Sequence, residues 1–368
     1  MAIAIHKVPQ FYSPANNDLY LEWSSNLPQG VRGEIEIAQL NNQVFVVYPD
    51  NNGRYQFNLK PVARALLYPN GFKDQNPDFP SQWGESYPFV RFALTMTLRV
   101  YTLGSQVDTQ PSNLIIQGGV KQVGESIFTN PSTILQPTTN GRDFNMTYFE
   151  GYPYEFILQV VTVNQQVLVE NLNTGDDGLA VQASSTQPQR VYIDKVSENW
   201  TTENFLPLPD VLNRLTCRIG EFGARVNLNV KKVNPRCGVY VKWLNNMGGY
   251  SYFLFDEFNR TSLRARSIGE VSNITFNNIP DHEAPTVQIG YESQKRMRVK
   301  ATIDANEAYL LESLFESPSV QYWTSNEPYV LGEWIDVTIN SNFQLSNKRR
   351  FNEITATINF PERLTQTL

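Results

Sequence analysis

Alternation of apolar and polar residues with a period of two is the feature of this sequence that most constrains its fold. Side chains of a β-strand point alternately to opposite faces of a sheet, so each alternating run predicts a strand with one buried face. Asn, Gly and Pro separate these runs, and no strand–helix–strand rhythm occurs. The pattern predicts a mainly β protein of several antiparallel β-sandwich domains. The clearest runs lie at 33–40, 43–49, 91–103, 154–163, 165–172, 189–196 and 224–233.

Two segments replace this alternation with signals of a short helix. In 304–317, Asp304 can cap the first turn, and Glu307 follows at the spacing of a capping box. Residues 59–69 form a shorter candidate, with one proline near the start and another at the end. The sequence therefore predicts one or two short helices packed beside the sheets.

The length of the chain, 368 residues, exceeds what a single hydrophobic core usually supports. Gly, Pro, Thr and Asn are concentrated at 112–141, and prolines and acidic residues at 199–212, as is typical of domain junctions. We therefore expect three domains. They are an N-terminal β-sandwich at 1–118, a middle β domain at 119–205, and a C-terminal β domain at 206–368 that holds an aromatic hairpin and the helix.

The charge of the chain argues against nucleic acid as a partner. Lys and Arg number 30 against 36 Asp and Glu, which gives a net charge of −6. The densest basic cluster is KRMRVK at 295–300, where cations alternate with apolar residues. We interpret it as the solvated face of an edge strand rather than as a phosphate-binding site.

The sequence also lacks the signals of membrane insertion and of secretion. No apolar run approaches the length of a membrane-spanning helix, and the first residues do not follow a signal-peptide pattern. The two cysteines, Cys217 and Cys237, are interpreted as buried reduced thiols of a protein made in a reducing compartment. A bridge between neighbouring strands is the alternative that the sequence leaves open.

Few residues suit catalysis or metal binding. The chain has two histidines, His6 and His282, and no His or Cys spacing typical of a zinc site. It contains neither a GxSxG motif nor a glycine-rich phosphate loop. We therefore expect no catalytic residue, no metal and no cofactor. A glycoside hydrolase stays as a minor alternative, because it requires only two suitably placed carboxylates.

Aromatic residues are concentrated in a loop at 68–89, among Asn, Gln, Asp and Pro. Rings beside amides and carboxylates suit stacking on sugars, but the same rings could close one end of a sandwich or contact another subunit. A loop of this length is usually functional or disordered. The candidate glycan or subunit contacts are Phe72, Phe79, Trp83 and Tyr87.

A second aromatic concentration lies at 237–260, which reads as a hairpin around the turn 245–249. Both of its faces carry rings, although a sheet with one wet side needs rings on one face only. We therefore expect one face to meet a second domain or another chain. The candidate interface residues are Tyr240, Trp243, Tyr250, Tyr252, Phe253 and Phe255.

Three strings in the C-terminal part of the chain resemble virion structural proteins of tailed phages that infect Bacteroidetes. They are the hairpin string CGVYVKWLNNMGGYSYFLFDE, the later SQKRMRVKATIDANEAYLLESLFESPSVQYW, and KRRFNEITATINFPE. The opening β-domain of that group is resembled by two N-terminal strings, SPANNDLYLEW and NNGRYQFNLKPVARALL. Its middle domain is resembled by TNPSTILQP together with YFEGYPYEFILQV. The resemblance implies a tail or baseplate subunit, comparable to distal tail proteins, that acts by assembly and without a cofactor. It implies a homo-oligomer, other tail proteins as partners, and a place in the virion after synthesis in the host cytoplasm.

Three hypotheses about function follow from these observations. The leading one is a non-enzymatic structural subunit that oligomerises and connects parts of a phage tail or baseplate. The alternative is a glycan- or receptor-binding module of the tail tip that contacts a host surface glycan through the loop 68–89. The third is a polysaccharide-degrading enzyme. A structural subunit predicts aromatic rings buried between chains. A glycan-binding module predicts aromatic rings exposed in a groove, and an enzyme predicts a groove with paired acidic residues.

Overall fold

The computed structural model describes residues 3–10, 12–26, 32–69, 71–72, 84–86, 91–102, 105–124, 133–138, 143–159, 166–182, 189–193, 208–219, 225–235, 237–272, 286–324, 331–341 and 351–365. Over these ranges the chain is mainly β, with several antiparallel sheets and two α-helices. The fold class predicted from the alternating pattern is confirmed.

The chain divides into two compact units. Unit 1 comprises Met1–Val233 and Leu244–Ser251, and unit 2 comprises Asn234–Trp243 and Tyr252–Leu368. The strands of the first 233 residues are β1 (Ile3–Lys7), β2 (Tyr12–Pro14), β3 (Tyr20–Ser25), β4 (Arg32–Ile37), β5 (Gln43–Val47), β6 (Arg54–Asn58), β7 (Gly84–Ser86), β8 (Arg91–Thr102), β9 (Ser105–Gln117), β10 (Thr133–Ile134), β11 (Asp143–Phe149), β12 (Glu155–Gln159), β13 (Gln166–Asn171), β14 (Asp176–Gln182), β15 (Gln189–Tyr192), β16 (Leu212–Ile219) and β17 (Arg225–Val233).

These strands form four sheets, with the orders β1-β3-β6, β2-β9-β8-β4-β5, β10-β12-β15-β7 and β11-β17-β16-β13-β14. Most neighbours are antiparallel, but β2 pairs with β9, and β11 with β17, in parallel. A core forms where alternate residues of the first two sheets face inward, and Trp23 stacks there on Tyr55 with ring centroids 5.4 Å apart. Helix α1 (Lys60–Leu67), predicted at 59–69, adds Val62, Ala63 and Leu67 to this core.

The three domain ranges expected from the sequence stay a prediction, and their boundaries separate strands that share sheets. Strand β7, from the range 1–118, pairs with β15 from the range 119–205. Strands β16 and β17, from the range 206–368, complete the sheet that contains β11 and β13. Composition marked linkers along the chain, whereas sheet pairing joins segments that are distant in sequence.

The remaining strands are β18 (Val239–Leu244), β19 (Tyr250–Phe255), β20 (Phe258–Ser272), β21 (Thr286–Ile303), β22 (Val320–Trp323), β23 (Trp334–Ser341) and β24 (Asn352–Arg363). They form one seven-stranded sheet in the order β19-β18-β22-β23-β24-β21-β20. Strand β21 thus lies between β24 and β20. The interpretation of 295–300 as part of an edge strand is wrong, because both sides of that segment are paired.

Helix α2 (Ala305–Phe315) lies within the segment where a helix was predicted. The Asp304 carboxylate accepts hydrogen bonds from the backbone N–H groups of Asn306 at 2.9 Å and Glu307 at 3.0 Å. The Glu307 side chain in turn accepts from the Asp304 N–H at 3.1 Å. The capping box inferred from the spacing is therefore present. No helix within the described ranges is long and apolar enough to cross a membrane.

Candidate functional site

All six rings of the predicted interface are buried within the single chain, each at most 5% exposed. Both strands of the hairpin are buried along their whole length. The rings therefore belong to the interior of this chain. A role between subunits stays a prediction, and it would require the hairpin to be uncovered first. The six residues are Tyr240, Trp243, Tyr250, Tyr252, Phe253 and Phe255.

In unit 2, rings of the hairpin pack on one another and on Trp334. Tyr240 stacks on Tyr252 with centroids 5.9 Å apart, and Trp334 lies 5.9 Å from Tyr240 and 6.2 Å from Tyr252. The Lys242 ammonium lies 4.6 Å from the centroid of the Trp334 ring, which is a cation–π distance. Such contacts stabilise a core in which Tyr240 and Tyr252 are buried and Trp334 is half-buried.

The turn of the hairpin, which belongs to unit 1, is held by the side chain of Asn245. Its Oδ1 accepts from the N–H groups of Met247 at 2.9 Å and Gly249 at 3.1 Å. Its Nδ2 donates to the Leu135 carbonyl at 3.0 Å and to Ser251 Oγ at 2.9 Å. Because this amide is buried, its pairing fixes the turn and its neighbouring segment as one structure.

Only one candidate of the aromatic loop lies within the described residues. Phe72 is half-buried and packs on Tyr68 with ring centroids 4.5 Å apart. Phe79, Trp83 and Tyr87 lie outside the described residues. The glycan or subunit contact proposed for this loop therefore stays a prediction.

Groups suited to metal binding are not brought together in the part of the chain that the structure describes. It contains no cluster of three or more His, Cys, Asp or Glu side chains able to hold a metal ion. His6 shares a hydrogen bond with Ser24 Oγ at 2.6 Å on an exposed strand, and His282 lies outside the described residues. Both cysteines are free thiols, with Cys217 buried and Cys237 exposed, so the expectation of burial is correct for Cys217 only.

A buried ion pair lies in the four-stranded sheet of unit 1. Arg190 and Glu155 are each 2% exposed, and the guanidinium donates to both carboxylate oxygens, at 2.8 Å and 2.5 Å. The guanidinium carbon also lies 5.7 Å from the centroid of the Tyr250 ring. Bidentate pairing neutralises this carboxylate and so makes it a structural group rather than a free acid or base.

The cations of β20 and β21 share one face of the sheet. Register pairs Arg260 with Arg298, and Arg264 with Gln294, so these side chains point to the same side, together with Arg266 and Arg296. We call Arg260, Arg264, Arg266, Arg296 and Arg298 the arginine face. The cluster at 295–300 was noticed in the sequence, but its partners on β20 were missed. The alternation in RTSLRARS at 260–267 is the signal that could have revealed them.

None of these five guanidinium groups forms an ion pair with a carboxylate of the described residues. Lys300, further along the same face of β21, differs, since it pairs with Glu353 at 3.0 Å and with Glu257 at 3.5 Å. The hydrogen bond to Glu353 raises the pKa of the Lys300 ammonium above its ordinary value. Charge is therefore neutralised within the sheet at Lys300 and left unneutralised on the arginine face.

Within the described residues, the outer part of the β20–β21 ribbon has no third strand beside it. Strand β24 pairs with β21 only from Ser293 onward, so the strand partners of 286–291 all lie in 267–272, and the Tyr291 carbonyl also accepts a hydrogen bond from the Thr365 hydroxyl. We call these two segments the ribbon end. Val271 and Val287, which are register partners, are 51% and 44% exposed there, and Tyr291 is 47% exposed. The ribbon end thus presents apolar side chains to solvent.

No protein-family model and no curated protein matches the chain. Comparison with solved structures gives an alignment to a chimeric titin Z1Z2 tandem carrying a fibronectin peptide, at 10% identity over 63% of this chain and 100% of that chain, with a TM-score of 0.19. A Ca²⁺-stabilised adhesin that helps an Antarctic bacterium bind ice aligns at 8% identity over 98% of each chain, with a TM-score of 0.19. A protocadherin gammaB7 cis-dimer structure aligns at 9% identity over 81% of this chain and 73% of that chain, with a TM-score of 0.17. TM-scores this low do not establish a common fold, and nothing about function is transferred from these proteins.

Proposed function

We propose that the protein is a non-enzymatic structural subunit that assembles with further copies of itself. The ribbon end is the observation that carries this proposal. Among the residues that the structure describes, no third strand pairs with this part of the ribbon, and two strands alone are marginally stable in water. Val271 and Val287 are register partners on one face of the ribbon, and exposed apolar side chains favour burial against a partner. A second copy that covers Val271 and Val287 would both stabilise the ribbon and form a subunit contact.

The wider setting of this proposal comes from the resemblance to virion proteins of tailed phages. In that setting the assembled subunits form part of a tail or baseplate and connect other tail proteins. The hairpin rings then serve as the core of each subunit, and the ribbon end supplies the contact between subunits. The proposed role requires rigid β architecture and an exposed contact surface, but no reactive group.

Light scattering of the purified chain over a range of concentrations tests self-assembly. We expect a defined oligomer, or a mass that rises with concentration, for the unmodified protein. The double variant Val271→Thr with Val287→Thr keeps β-branched residues but makes both side chains polar, so it should shift the mass towards the monomer. Val123→Thr with Val211→Thr is the matched control, because both valines are exposed outside the ribbon. A monomer at every concentration would contradict self-assembly, and an oligomer unchanged by the ribbon substitutions would exclude the ribbon end as its interface.

A further inference from the structure

We propose that the arginine face is a binding site for an acidic polysaccharide, that is, a sugar polymer carrying carboxylate or sulfate groups. The site uses residues different from the apolar side chains of the ribbon end. It therefore does not depend on the proposed assembly function.

Unneutralised guanidinium groups are the first observation behind this proposal. Arg260, Arg264, Arg266 and Arg298 are exposed, and Arg296 is half-buried. Arg266 and Glu292 are register partners, yet no ion pair joins them. Guanidinium groups present several N–H donors in a planar fork that matches carboxylate, sulfate and phosphate oxygens. An anionic ligand would meet guanidinium groups that are not already paired with a carboxylate of the described residues.

The spacing of these groups suits an extended ligand. Side chains on one face of a strand repeat every two residues, or about 6.6–6.8 Å, and neighbouring strands lie about 4.8 Å apart. From Arg260 to Arg266 the row along β20 therefore extends about 20 Å, and Arg296 and Arg298 form a second row beside it. A polymer lying along the strands could contact several cations at once, whereas a single small anion could contact one or two.

Acceptor groups between the arginines favour a sugar polymer over other polyanions. A shallow depression of about 230 Å³ on this face is lined by Arg264, Arg266 and Arg296 together with Glu292, Gln294 and Glu362. The carboxylates can accept hydrogen bonds from hydroxyl groups, which a polysaccharide carries beside its acidic groups.

The lining of this depression also argues against nucleic acid and against a protein partner. Single-stranded nucleic acid is usually bound by aromatic side chains that stack on its bases, and the lining contains none. Protein interfaces usually have a core of aromatic and aliphatic anchors, and the lining contains only polar and charged side chains. A hydrated, charged ligand with many hydroxyl groups fits this surface best.

The face is held in place by the sheet beneath it. Met297 and Val299 point to the opposite side of β21 and are buried, so a slip in register would expose them. Gln294 donates from its side-chain amide to the Phe360 carbonyl at 3.1 Å and accepts from the Arg296 guanidinium at 3.3 Å. Three of the cations lie on β20 and two on β21, and these strands are paired with each other along the arginine face, so little order needs to be gained on binding.

The test measures binding of the full chain to alginate oligosaccharides, which are polyuronates, by isothermal titration calorimetry at low salt. Neutral dextran and a single-stranded oligonucleotide of similar length are the comparison ligands. We expect binding to alginate that weakens with added salt, weaker binding to the oligonucleotide, and none to dextran. No binding to alginate would overturn the proposal, and tighter binding to the oligonucleotide would identify a nucleic-acid site instead.

Two double variants test whether the arginine face is responsible for alginate binding. Arg264→Gln with Arg266→Gln should weaken alginate binding at least tenfold, whereas Arg214→Gln with Arg225→Gln, exposed arginines of unit 1, removes the same charge and should leave it unchanged. An equal loss in both double variants would show nonspecific charge attraction. The light-scattering mass of the Arg264/Arg266 variant should stay that of the unmodified protein, which separates this site from the proposed assembly contact.

Substitution of the acidic residues distinguishes recognition of a polysaccharide from binding by charge alone. Glu292→Ala with Glu362→Ala removes two negative charges from the depression. If these carboxylates accept hydrogen bonds from sugar hydroxyls, alginate binding should weaken. If charge alone governs binding, the affinity should rise, and that result would overturn the assignment to a polysaccharide. Both residues are exposed, so the variants should unfold at the same temperature as the unmodified protein.

Discussion

Trp243 donates a hydrogen bond from its indole Nε1 to the hydroxyl of Ser313 at 2.9 Å, and so joins strand β18 to helix α2 within unit 2. The Ser313 hydroxyl donates in turn to the Leu310 carbonyl at 2.7 Å. Both side chains are buried, with exposures of 1% for Trp243 and 4% for Ser313. The largest ring of the hairpin therefore anchors a helix of its own chain.

Ser313→Ala should lower the free energy of unfolding by about 1–3 kcal/mol, because it leaves the buried indole N–H without an acceptor. Trp243→Phe removes the donor, and the double variant measures the coupling between the two sites. We expect the double variant to be more stable than the sum of the single effects predicts. Chemical denaturation followed by circular dichroism provides the measurement, and strictly additive effects would argue against the hydrogen bond.

Glu155→Gln should destabilise unit 1 by about 3–5 kcal/mol, since it removes the carboxylate charge that pairs with the buried Arg190 guanidinium. Replacing both partners, as Glu155→Leu with Arg190→Met, should cost much less, because neither charge is then buried. Glu22→Gln is the control, as it breaks the more exposed pair between Glu22 and Arg54 and should cost about 0–1 kcal/mol. The three variants are compared by thermal unfolding. Similar losses for Glu155 and Glu22 would count against the importance of burial.

Gly119→Ala should be markedly more destabilising than Gly124→Ala. Both glycines have positive φ, +101° and +87°, so both substitutions carry the backbone strain of a left-handed residue, about 1–2 kcal/mol. A Cβ at Gly119 would also lie 2.4 Å from the Asn246 carbonyl oxygen, whereas one at Gly124 has nothing within 4 Å. The difference in unfolding temperature isolates this contact with the hairpin turn. Equal effects would show that the turn moves away from residue 119 without cost.

Cys217 should resist thiol reagents in the folded protein, whereas Cys237 should react. Burial raises the pKa of the Cys217 thiol to about 12, whereas an unfolded thiol titrates near pH 8.5. Between these two pH values, only the unfolded state loses the thiol proton. The free energy of unfolding should therefore fall as pH rises above about 8.5, by up to about 1.4 kcal/mol per pH unit from this group. Labelling should give one thiol per chain in buffer and two in denaturant.

Cys217→Ala is the control for the pH effect, because alanine does not titrate. Its stability between pH 8.5 and pH 10 should fall less steeply than that of the unmodified protein. Parallel pH profiles would show that another group is responsible. Fast labelling of both thiols in buffer would contradict the burial of Cys217.

Local signals in the sequence were sufficient where the interacting residues are close along the chain. The capping box at Asp304 depends on residues three positions apart, and it was predicted from that spacing alone. The strands were predicted from alternation, because a period of two places every second side chain on one face. These features follow from backbone geometry, so they can be identified without knowledge of the partner strand.

What covers each strand was decided by the tertiary structure. The sequence showed that both faces of the hairpin carry rings, but burial of Tyr240 and Trp243 within the same chain depends on segments such as 305–315 and 334–341. In the same way, 295–300 is internal to its sheet because Met297 pairs with Ile358, about sixty residues later. Alternation fixes which residues share a face, whereas the choice of neighbouring strand depends on packing between distant segments, which no local pattern encodes.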